Sequence, residues 1–101
     1  MAASDERLKT NVADGDSDAD EFMSSLRAMR FRYKEPERWG EGQRLGIMAQ
    51  DLQRSKLGRE ALVQVDDRGH LGFDLGKATS AALASVARLN ARLGELERKA
   101  A

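Results

Sequence analysis

From Leu75 to the C-terminus the chain contains no proline, and Leu75, Thr79, Ala82, Val86, Leu89, Leu93 and Leu96 follow one another at spacings of 4, 3, 4, 3, 4 and 3. That alternation is a heptad seam, the pattern a helix needs to keep one apolar ridge against a partner helix. Asp74 stands where an N-cap belongs. The pattern predicts one helix over residues 75–101, roughly 40 Å long at about 1.5 Å per residue. The rest of so short a chain cannot cover that length, so part of the ridge is expected to meet further copies of itself. The expected interface is Leu75, Ala82, Val86, Leu89, Leu93 and Leu96. Leu83 widens the ridge near its start, which suits packing on the chain's own body there. These core identities alone leave dimer and trimer open.

Composition narrows the function. Seventeen Lys and Arg balance seventeen Asp and Glu, so no overall charge draws the chain to nucleic acid or to an anionic membrane. There is no cysteine and a single histidine, which argues against a disulfide framework and against a thiolate or histidine metal centre. No metal or other cofactor is expected. No apolar run approaches the roughly 20 residues of a membrane span. The glycines fit no phosphate-cradling pattern.

Ahead of the terminal helix the signals are short. Ala13 to Ser17 reads as a loop, with Ser17 or Asp18 capping a helix that carries Phe22, Leu26 and Met29 at helical spacing. Arg30-Phe31-Arg32-Tyr33-Lys34 alternates charge with aromatic rings, the period of a strand. Its basic residues make a nucleic-acid strand conceivable, but one strand in a neutral chain is thin support. Pro36 ends that strand, and 35–43 reads as a loop carrying Trp39, which is expected to pack within an oligomer. Leu45 to Ala49 reads as a buried strand, followed by a first helical turn at Gln50 to Gln53. Arg54-Ser55-Lys56 reads as a surface loop. Leu62 to Val65 and Leu71 to Asp74 flank turn residues and predict a β-hairpin, with His70 facing solvent. The expected fold is therefore a small mixed α+β domain with short strands and a long C-terminal coiled-coil helix.

One pair of residues could carry chemistry. A serine hydroxyl becomes a nucleophile when a base removes its proton, and a lysine can be that base when its neutral amine is populated. Ser4 and Lys9 are such a pair by type. By spacing alone an ordinary surface serine and lysine fit as well.

The opening Ser4-Asp5-Glu6-Arg7-Leu8-Lys9, with Val12 three positions on, resembles the entry motif of the endosialidase-type intramolecular chaperone domain of bacteriophage tailspikes and tail fibres. The resemblance continues in order through Leu26, Tyr33, Gly46-Ile47-Met48-Ala49-Gln50 and Leu62-Val63 to the hairpin and terminal helix. Two departures stand out. Glu60-Ala61 replaces the usual proline before the Leu-Val strand, and Leu75 stands where an aromatic residue opens the helix, with Phe73 nearby.

The resemblance implies a homotrimer that holds upstream fibre chains in register while they fold and then cuts itself away before the motif serine. Carried onto this chain, Ser4 would be the nucleophile, Lys9 the general base and Ala3–Ser4 the scissile bond. The implied organisation is a leader of residues 1–3, a chaperone domain of residues 4–74 and a trimerisation helix of residues 75–101. The implied partner is an upstream tail-fibre or tailspike polypeptide, met in the host cytoplasm during virion assembly. With three residues ahead of Ser4, the chain is expected to be an excised module, a chaperone acting in trans, or a connector retained in the virion tail.

Overall fold

A computed structural model describes residues 2–101. A single 3-10 turn (Glu6–Leu8) leads through an extended segment into helix α1 (Asp16–Ser25). Strand β1 (Met29–Phe31), the short helix α2 (Pro36–Trp39) and strand β2 (Arg44–Gly46) follow. Two further short helices, α3 (Ala49–Leu52) and α4 (Lys56–Ala61), precede strands β3 (Leu62–Gln64) and β4 (Leu71–Phe73). The chain closes with helix α5 (Leu75–Ala100). The architecture is mixed, with short antiparallel strands and a long terminal helix, as the pattern predicts.

The strands form two separate antiparallel pairs. β1 pairs with β2 in the register Met29–Gly46 and Phe31–Arg44, and β3 pairs with β4 in the register Leu62–Phe73 and Gln64–Leu71. The second pair is the expected hairpin. Its turn is organised by Asp66, whose carboxylate accepts hydrogen bonds from the backbone of Arg68 and His70 and lies 2.6 Å from the His70 ring. His70 faces solvent as expected, and its pairing holds the Asp66 carboxyl down at about 2.

Four local expectations ahead of α5 are corrected. α1 starts earlier than Ser17 or Asp18, with Gly15 at its N-cap position, and it ends at Ser25, so Met29 belongs to β1. The ladder to β2 outweighs the helical spacing of a single methionine. Residues 35–43 are not all loop: Pro36 occupies the first position of α2, where its missing N–H costs nothing. The segment around Leu45 is not a buried strand. Leu45 is 69% exposed because β2 has only one neighbouring strand, and the chain turns helical at Ala49. Ser55, read as part of a surface loop, is fully buried and caps α4, its hydroxyl accepting from the Gly58 backbone N–H at 2.9 Å.

Gly58 is required by the same corner. A Cβ there would collide with the carbonyl oxygen of Leu52. Ser55→Ala should cost about 1–2 kcal/mol in urea unfolding, because it strands a buried N–H. A loss below a few tenths of a kcal/mol would mean that water replaces the cap.

The core is small: Phe22 from α1, Leu52 from α3 and Ala81 from α5, flanked by Leu26, Ile47, Leu57 and Leu62. α5 meets this body through Ala78, Ala81, Ser85 and Arg88. Small residues let the helix approach α1 and α4 closely. Further along, the Arg88 guanidinium grips the Asp20 carboxylate at 3.0 and 3.1 Å, with Arg92 adding a longer contact.

The heptad seam lies elsewhere on α5. Its positions follow the body-facing ones by one residue, a rotation of roughly 100° about the helix. Leu75, Val86, Leu89, Leu93 and Leu96 are each more than half exposed, and Thr79 and Ala82 are exposed too. Leu83 is also solvent-facing rather than packed on the body, since the body contact uses the opposite shoulder of the helix.

Candidate functional site

The N-terminal turn is built by its own acidic cap. Asp5 accepts from the Arg7 backbone N–H at 2.9 Å and closes the first turn. The Arg7 guanidinium folds back on the same carboxylate, with contacts from 2.7 to 3.2 Å. That pairing holds the Asp5 carboxyl below its usual range. Ser4 lies just before the cap and Lys9 just after the turn, where the Lys9 backbone N–H closes on the Glu6 carbonyl at 3.1 Å.

A five-residue separation would span far in an extended chain, but the turn doubles it back. The Lys9 Nζ comes within 3.2 Å of the Ser4 Oγ and donates to it. At that distance the hydroxyl and the amine are within hydrogen-bond reach of each other. Both side chains are exposed to water in the single copy.

The structure therefore brings together the two residues singled out for chemistry. The role of Asp5 and Arg7 as scaffold was not drawn from the sequence, although an Asp-x-Arg pair ahead of Lys9 is the visible signal of a capped turn. Leu8 and Val12, the motif's apolar residues, are 74% and 78% exposed and touch no core of their own copy. Like the α5 seam, they are apolar groups without cover.

The remaining expected features lie apart from this turn. The Phe31 and Tyr33 rings meet edge-on at 5.3 Å, and Tyr33 lies 6.3 Å from Trp39. Trp39 is half-exposed, with the Arg38 guanidinium over its ring at 4.7 Å. Asp51, which follows the Ala49-Gln50 motif, is fully buried and takes two hydrogen bonds from Arg27, at 3.0 and 3.2 Å. Its role was not foreseen either. Among the described residues, no group of three or more acidic, histidine or cysteine side chains is placed to hold a metal, and no helix is long and apolar enough to cross a membrane.

Comparison with known proteins returns one family. The profile described as chaperone of endosialidase matches residues 4–62, from the Ser4 of the capped turn to the first residue of β3. No curated protein and no solved structure matches the chain.

Proposed function

The chain belongs to the chaperone-of-endosialidase family, and from that premise we propose that it is a trimeric module that assists the folding of a phage tail fibre or tailspike and cuts the chain ahead of Ser4. The observation that carries this reading is the split use of α5. One face is spent on the chain's own body and the adjacent heptad ridge has no cover. Three such ridges wound together would hold three N-terminal turns side by side. That clamp replaces a costly encounter of separate fibre chains with an intramolecular one. The proposed setting is the cytoplasm of an infected host while virions assemble.

The proposed cut follows from the turn. Lys9, as the neutral amine, takes the hydroxyl proton of Ser4. The freed Oγ attacks the Ala3 carbonyl carbon, so that an O–C bond forms through a five-membered ring. The Ala3–Ser4 C–N bond then breaks and the Ser4 nitrogen receives the proton from Lys9. A water molecule hydrolyses the resulting ester, which leaves a carboxylate on Ala3 and restores the Ser4 hydroxyl. Loss of the clamp would leave the finished fibre held by its unfolding barrier.

The alternative is a connector of the same trimeric build that stays in the virion and cuts nothing, with Ser4 purely structural. The water exposure of Ser4 and Lys9 in a single copy is the observation on its side.

A fusion of an upstream fibre to this chain separates the two readings. Two fragments are expected, the smaller beginning at Ser4, and Ser4→Ala should slow the cut on the order of 10³-fold or more. If the wild type stays as whole as the Ser4→Ala fusion, the connector reading stands instead.

A further inference from the structure

The β3–β4 pair leaves one of its edges open. In its ladder the Val65 N–H donates to the His70 carbonyl at 2.8 Å, and the Asp74 N–H to the Ala61 carbonyl at 2.7 Å. Bonded and unbonded pairs alternate in an antiparallel ladder, so Val63–Gly72 is the bonded pair between these two. Leu71 and Phe73 therefore turn their N–H and C=O groups away from β3, and these groups have no hydrogen-bond partner among the described residues. Leu71 to Phe73 line a cleft of about 360 Å³ whose other walls are Phe31 to Tyr33 and Ile47 to Gln50. Around Tyr33 and Leu71 it adjoins a second cleft of about 550 Å³, which Lys34 and Trp39 also line. Past Phe31 the chain has left β2, and Arg32 and Tyr33 continue without a partner strand.

We infer that the β4 edge is a strand-docking site for an extended polypeptide that alternates acidic with apolar residues, supplied by the fibre chain this module serves. The source of the strand rests on the chaperone reading; the edge does not. An unpaired strand edge is a row of donors and acceptors that another extended backbone satisfies along its length. The facing wall selects the side chains. Successive residues of an extended chain point to opposite sides, so Arg32 lies on one side of that wall and Phe31 and Tyr33 on the other. Arg32 and Lys34 are exposed, and neither is paired with a carboxylate among the described residues. A strand laid along this wall meets cations on one side and aromatic rings on the other. Carboxylates alternating with apolar side chains match both.

Trp39 is the chain's one tryptophan, so its emission reads a titration with the capped hexapeptide Asp-Val-Asp-Val-Asp-Val. Saturating peptide should slow hydrogen exchange at the Leu71 and Phe73 amides at least about 10-fold, with Gln64 on the opposite edge unchanged. The same peptide methylated on its backbone nitrogens, and the peptide with Lys in place of Asp, should each bind at least about 10-fold more weakly. Arg32→Glu with Lys34→Glu should invert the preference between the acidic and the basic peptide. Equal binding of the methylated peptide, an unchanged preference in the double variant, or protection at Gln64 instead overturns the docking edge. A thymidine oligonucleotide that binds as tightly while Leu71 and Phe73 exchange freely overturns it in favour of a polyanion surface. Protection of these amides that rises with the concentration of the chain alone puts a second copy on the edge and overturns it too. A Ser4→Ala fibre fusion should show the same protection, and free exchange there overturns the fibre as the source. The wild-type fusion is scored separately for its cut, so failure of the edge and failure of the self-cleavage reading are told apart.

Discussion

Leu89→Asp combined with Leu93→Asp is expected to leave the chain sedimenting as one copy at micromolar concentration, where the proposed trimer predicts three copies for the unsubstituted chain. Each leucine is about half exposed in the single copy. Covering such a side chain is worth about 1.5–3 kcal/mol, and a carboxylate in its place must be desolvated without a partner. Several kcal/mol per position, repeated in every copy, exceeds what a small interface can lose. The substitutions should not unfold the body, because the seam is rotated about 100° from the line of Ala78, Ala81, Ser85 and Arg88. Helicity should fall only beyond Arg92, the last position at which an ion pair ties α5 to α1; a free end of that length does not hold itself together in water. Association that survives would place the interface elsewhere. A wild-type chain that is itself a single copy would reject both trimeric readings.

The parts of the fold legible in the sequence were those with a long period or a local cap. α5 declared itself through seven positions at heptad spacing, and the hairpin through its turn residues. α4 did not: Lys56 to Ala61 is only six residues with a glycine inside, and it exists because Ser55 caps it and Gly58 lets it pass under Leu52. Met29 fits a helical period as well as a strand, and only its distant partner Gly46 decides. The same limit applies to the site. Ser4 and Lys9 were singled out by residue type and by the resemblance of the motif around them, and the turn that joins them came only with the structure. The enclosure of Asp51 by Arg27 was invisible because it joins residues 24 positions apart, and neither carries a pattern of its own.

The second large effect concerns Asp51, where a charge is enclosed at the base of the core beside Leu52. Its carboxylate accepts from Arg27 Nε and Nη2, with Arg54 at 3.7 Å as a weaker neighbour. Hydrogen bonding from Arg27 holds the carboxyl below its ordinary range, with burial opposing it. Arg27→Ala removes the first cause and leaves the second, so the thermal midpoint should fall on the order of 10 °C at neutral pH. Working in the Leu89→Asp, Leu93→Asp background keeps that midpoint independent of concentration. The sign of the pH response then differs between the two chains. With Arg27 present, the unfolded chain takes up the proton first. The pair's stabilisation is therefore complete above the ordinary aspartate value of about 3.9 and is lost as the pH falls through the lower folded value. Without Arg27 the buried carboxyl titrates above that ordinary value, the folded state takes up the proton first, and acid stabilises the variant relative to neutral pH. The gap between the two midpoints should accordingly narrow from pH 7 to pH 4. A gap that stays constant would show that Arg27 acts through packing alone, with Asp51 as exposed to water in the folded chain as in the unfolded one.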